Sequence, residues 1–146
     1  MTAILLDDHL LLRVLLDEEP PNLRPSGAAL ATTGLWYHRL CRALADTQVV
    51  GSLSRQLGGL DDAAAAQVLA TVVELPDTIT LLSLRTLGWP MGELAHAGLR
   101  LNLLSLEALA AARHLSAEIC LAEADENEPL RLAAQPLGIA VRTIAA

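Results

Sequence analysis

Carboxylates recur in this sequence where an apolar run gives way to a helical pattern. Asp7 ends the first apolar run, and Glu107 stands at the opening of a helical stretch over 106–115. Glu123, Asp125 and Glu126 directly follow the apolar run 119–122. Acids at such junctions can converge at one edge of a parallel sheet. There their oxygens would hold a hard cation, Mg²⁺ or Mn²⁺, which keeps waters for phosphodiester hydrolysis. Asp7, Glu107, Glu123 and Asp125 are therefore the candidate catalytic residues and metal ligands. Each also has a plainer reading. Asp7 or Asp8 can cap a helix, Glu107 can complement a helix dipole, and an acidic loop can simply be solvated.

Other chemistries find no footing. Gly58-Gly59 lacks the Lys and flanking glycines of a phosphate loop, and Gly51-Ser52-Leu53-Ser54-Arg55 ends in Arg where a nucleophile elbow needs Gly. His38 and Cys41 share a helical turn, but two ligands do not build a zinc site. The four histidines, at 9, 38, 96 and 114, are scattered. Cys41 and Cys120 read as buried thiols rather than a disulfide framework.

The elements that must position these acids follow from hydropathy. Ala3–Leu6 reads as a buried strand, followed by a turn and a helix over 9–16 that Asp8 can cap. The stretch 28–45 reads as one helix, with Leu30, Gly34, Tyr37, Cys41 and Leu44 along its apolar face. Residues 48–53 fit either a short strand or an irregular connection. Asp61-Asp62 opens an Ala-rich helix closed by Pro76. A strand is predicted over 79–84 and a helix over 88–100 with Pro90 in its first turn. Ser105 caps the helix 106–115, a strand covers 119–122, and 123–128 is an acidic loop. Pro129 starts a last helix that presents Leu130, Ala133, Ala134 and Leu137, with Gly138 as its C-terminal cap before a strand over 139–144. Strands alternating with helices imply an α/β domain with a central, mostly parallel sheet and helices on both faces. Ala3–Leu6 and 119–122 should be interior neighbours in it. No internal repeat or linker divides the 146 residues, so one domain is expected.

Composition narrows the partners. The chain is 53% hydrophobic but has no Phe, one Tyr and two Trp, so its core is aliphatic and base stacking has few platforms. A net charge of −7 confines any nucleic-acid contact to a local metal site or Arg cluster. All ten basic residues are Arg, which fits a GC-rich bacterial genome. No apolar run approaches the roughly 20 residues that span a bilayer. Asp7-Asp8 interrupts the first apolar stretch, so a signal peptide is not expected and the cytoplasm is the default.

The same positions carry a resemblance to the PIN-domain family, which includes VapC-like ribonuclease toxins. Ile4-Leu5-Leu6-Asp7-Asp8-His9-Leu10-Leu11 resembles that family's opening strand–Asp–x–Ser/His–x–Leu, with Asp7 on the first catalytic aspartate. Leu106-Glu107-Ala108-Leu109 resembles its Asp-Ala-Leu helix start, with Glu107 in place of Asp. Leu130, Ala133, Ala134, Leu137 and Gly138 resemble its last helix and Leu-Gly turn. The resemblance spans nearly the whole chain through short motifs. It implies a three-layer PIN-like fold and a Mg²⁺- or Mn²⁺-dependent endoribonuclease acting on RNA. It also implies an antitoxin-like protein partner and a homodimer. Two departures stand out. No acid occurs between Glu19 and Asp46, where the family's second acid belongs; the matching stretch runs from Ala31 to Arg39. The last acid has three candidates: Glu123 counting from the strand, Asn127 counting back from Gly138, and Asp125 between them. Weakened or lost catalysis is one consequence. A non-catalytic PIN-like binding or regulatory module, with Trp36 or Trp89 as a partner anchor, is the alternative.

Overall fold

A computed structural model describes residues 3–25, 27–45 and 57–145. Its centre is a five-stranded sheet of β1 (Ala3–Leu6), β2 (Ala29–Thr33), β3 (Ile79–Leu82), β4 (Glu118–Ala122) and β5 (Val141–Ile144), in the order β3-β2-β1-β4-β5. Every pairing is parallel. Parallel neighbours need crossovers, and six helices among the described residues supply them. These are α1 (Asp8–Leu15), α2 (Gly34–Ala45), α3 (Asp62–Val73), α4 (Leu84–His96), α5 (Leu103–Leu115) and α6 (Glu128–Ala134). The chain is thus a three-layer α/β fold. No helix among the described residues is long and apolar enough to cross a membrane.

β1 and β4 lie side by side in the sheet interior, as their unbroken apolar runs require. Alternation along each strand divides the core. Leu5, Ile119 and Leu121 face a layer with Leu87, Met91 and Leu94 of α4 and Ala108 to Ala112 of α5. Ile4, Leu6, Cys120 and Ala122 face the other side, with Leu10 of α1. A neighbouring cluster joins Leu11, Leu12 and Leu15 of α1 to Leu40 of α2 and Val68 and Val72 of α3. The Ala run in α5 lets that helix lie close to the sheet.

Several boundaries differ from the sequence expectation. The helix read over 28–45 is a strand followed by a helix. Ala29–Thr33 is β2, paired on both edges, and only Gly34–Ala45 is helical. Strands buried on both faces lack polar alternation, so this run mimicked a helix. β-branched Thr32 and Thr33 favour the strand, and the Thr32 hydroxyl donates to the Leu6 carbonyl at 3.0 Å. The buried face of α2 is consequently Trp36, Leu40 and Ala43. Tyr37, Cys41 and Leu44 are half-buried, and the Tyr37 hydroxyl donates to the Val72 carbonyl at 2.6 Å, tying α2 to α3.

The expected caps also shift. Asp7, not Asp8, caps α1, while Asn102 caps α5 one turn before Ser105. α4 begins at Leu84, so Pro90 lies mid-helix rather than in the first turn. Asn127 caps α6, and Gly138 takes its positive φ of 70° after a 3₁₀ turn over Gln135–Leu137. β3 and β5 are shorter than read, at Ile79–Leu82 and Val141–Ile144. The undecided segment 48–53 lies outside the described residues.

Candidate functional site

Parallel strands gather chemistry at their C-terminal edge, where each chain segment turns into a helix. Here the ends of β1, β2 and β4 are adjacent, and the segments leaving them carry Asp7, Asp8 and His9, then Arg39, then Asp125. One ligand atom from each of Asp7, Asp8, His9 and Asp125 lies within 4.8 Å of the others. The cluster could hold a metal ion by its spacing.

Asp7 is fully buried, and both its oxygens are engaged. Oδ1 accepts from the Leu10 amide at 2.9 Å, capping α1, and Oδ2 accepts from the Ala122 amide at 2.8 Å. The side chain therefore joins the end of β1 to the end of β4. Burial pushes its carboxyl up to about 7, outweighing these two bonds.

Because Asp7 takes the cap, Asp8 is free to point elsewhere. It too is fully buried, and its Oδ1 accepts from the His9 amide at 3.0 Å and lies 3.1 Å from His9 Nδ1. Arg39 meets it with a fork, Nη2 to Oδ1 at 2.8 Å and Nε to Oδ2. The same Nη2 donates to Asp125 Oδ2. One guanidinium thus bridges two acids from different strand ends. Burial alone would raise Asp8, but the hydrogen bonds from Arg39 and His9 outweigh it and hold the carboxyl below its ordinary value. His9 is moved the other way: burial lowers it, but its bond to Asp8 and the surrounding acids leave it above its ordinary value.

Of the four candidate ligands, Asp7 and Asp125 come together in this cluster. Glu123 and Glu107 lie outside it. Glu123 is exposed in the 3₁₀ turn Glu123–Asp125, with no ion pair among the described residues. Asp125 is the acid of the loop that faces the cluster, while Glu126 pairs with Arg131 and Thr143. Glu107 is fully buried in the second turn of α5 rather than at its opening. Its Oε1 accepts from the Leu35 amide at 2.8 Å, so it complements the start of α2 and not its own helix. Its Oε2 is buried without a hydrogen-bond partner. A side chain at Gly34 would stand 3.6 Å from that oxygen.

The donor set does not fit a divalent cation as it stands. Five of the six oxygens of Asp7, Asp8 and Asp125 accept from the protein, and Arg39 already places a positive charge between two of these acids. A second cation would have to displace it against Coulomb repulsion. Sequence reasoning missed Asp8 and His9 as members of the site, and Arg39 as the partner of two of its acids. Asp8 was masked by its resemblance to a cap, and Arg39 falls in the stretch that lacks the family's second acid. The Asp7-Asp8-His9 succession was the available signal.

The chain matches no protein-family model and no curated protein.

Proposed function

We propose that this chain is a PIN-like domain of the ribonuclease-toxin type whose acidic pocket is compensated by its own Arg39, leaving metal-dependent RNA cleavage weak or lost. The observation that carries this reading is the Arg39 fork on buried Asp8, extended to Asp125 at the edge where the resemblance puts catalytic acids. A buried carboxylate needs a partner, and a covalently tethered guanidinium meets that need without a metal. The pocket then rigidifies the sheet edge instead of recruiting a cation. RNA as ligand class, an antitoxin-like protein as partner and a cytoplasmic location accompany this reading through the resemblance and the composition.

A second reading, a retained nuclease, is favoured by one observation: the buried, unpartnered Oε2 of Glu107. Calorimetric titration with Mg²⁺ and Mn²⁺ separates the two. The native chain should bind either ion weakly, and Arg39→Gln, which keeps donors for Asp8 but removes the charge, should bind at least about tenfold more tightly. Tight Mg²⁺ binding by the native chain, with robust RNA cleavage abolished in Asp7→Asn, would overturn the compensated-pocket reading.

A further inference from the structure

At the opposite end of the sheet from the acid cluster, where the strands begin, the surface opens into a cavity of about 360 Å³. Small-molecule sites commonly span roughly 300–1,000 Å³. One wall is apolar, with Val14 and Leu15 at the end of α1 and Pro76 and Ile79 at the entry to β3. The other is polar, built from Asp17 and Glu19 after α1, Arg24, and Gln67 and Thr71 of α3. An apolar wall facing a few convergent polar groups is the lining that organic ligands require.

The charge of this lining is not balanced. Asp17, Glu18 and Glu19 follow one another at the C-terminal end of α1, where the helix dipole favours cations and opposes carboxylates. Two of the three are answered. Arg13 Nε lies 3.7 Å from Glu18, and Arg24 Nε donates to Glu19 at 3.0 Å. Asp17 has no cationic partner among the described residues, and its carboxylate borders the cavity. It accepts a single long hydrogen bond, from Gln67 Nε2 at 3.4 Å. The same Nε2 reaches the Leu15 carbonyl at 3.5 Å, so one loosely held NH₂ serves both acceptors.

The backbone holds this carboxylate in place. The Glu18 amide donates to the Arg13 carbonyl at 2.9 Å and the Asp17 amide to the Val14 carbonyl at 3.1 Å. These bonds close α1 with Asp17 at a φ of 57°, in the position usually taken by Gly. A bare metal ion does not suit the lining. Among the described residues, the ligand atoms close enough to share one lie at the other end of the sheet. One uncompensated carboxylate beside aliphatic surface suits an ammonium carried on an apolar stem.

We infer that this cavity binds an organic monocation, a primary ammonium on a short alkyl stem, with the ammonium on Asp17 and the stem against Val14 and Ile79. The inference is independent of the acid pocket.

Calorimetric and NMR titrations of the full chain with hexylammonium, methylammonium, hexanol, hexanoate and Mg²⁺ test it. Hexylammonium should bind with a Kd of about millimolar, shift the amides of Leu15, Asp17, Gln67 and Ile79, and weaken in salt. Methylammonium, which lacks the stem, and hexanol, which lacks the charge, should each bind at least about tenfold more weakly. Asp17→Asn keeps the turn, because Asn also adopts the left-handed backbone, and should weaken hexylammonium at least about tenfold. Glu18→Gln, outside the cavity, should leave binding unchanged. Hexanol or hexanoate binding as well as hexylammonium would overturn the inference, as would Mg²⁺ shifting the same amides more strongly. So would an affinity indifferent to Asp17→Asn, or no shift at about 20 mM hexylammonium.

Discussion

Asp7→Asn should change the stability of the chain in a way that depends on pH. Asp7 is fully buried, and burial raises its carboxyl from 3.8 to about 7. A carboxyl with a higher value in the folded state holds its proton more tightly there. Stability is therefore lost as pH rises from 3.8 to about 7, and stays lost above. At about 1.4 kcal/mol per unit, the whole interval is worth about 4 kcal/mol. Asn cannot ionise and escapes this loss, but it brings a cost of its own. Both Asp7 oxygens accept backbone amides, whereas Asn offers one oxygen and one NH₂. One amide would then face a donor, at about 1–3 kcal/mol. By about pH 5.5 ionisation has already removed about 2 kcal/mol from the native chain, so these effects leave the two proteins within about 1 kcal/mol of each other. Between about pH 5.5 and pH 8 the difference should swing by about 2 kcal/mol in the variant's favour. Urea unfolding of both proteins across that range, above the pI of about 4.9, measures the swing directly. A difference that stays constant with pH would refute the reasoning and leave Asp7 as a capping residue alone.

Arg39→Met leaves Asp8 buried and unpaired, so it should cost about 3–5 kcal/mol at neutral pH by urea unfolding. Because Asp8 sits below its ordinary 3.8, that cost should persist above this value and shrink as pH falls through the folded-state value. Leu40→Ala, at the fully buried centre of the α2 face, should cost about 2–5 kcal/mol; a loss of a few tenths would mean that the face is misassigned. Asn127→Ala removes the α6 cap on the Leu130 amide and the bond to Ser105, and should lower stability by about 1–2 kcal/mol in the same assay.

The apolar runs of β1 and β4, and their interior place in a parallel sheet, were legible because strands buried on both faces must be continuously hydrophobic. Asp61 and Gly138 likewise announced a helix start and a left-handed turn through local chemistry. So did the position of Asp7 at the end of β1. By itself the sequence could not separate β2 from α2, because the apolar spacing of 28–45 satisfies a helix as well as a buried strand. Only pairing with β1 and β3 on both edges decided it.

The site divides in the same way. Acids at strand ends can be read from one dimension, but their partners cannot. Asp8 and Arg39 are 31 residues apart, and Arg39 and Asp125 are 86 apart. Tertiary structure alone decided that the cap falls on Asp7, that Asp125 and not Glu123 turns inward, and that Glu107 serves the start of α2. The physical reason is that a buried charge takes whichever counter-charge or amide the packed fold brings within reach, and sequence spacing holds no record of that distance.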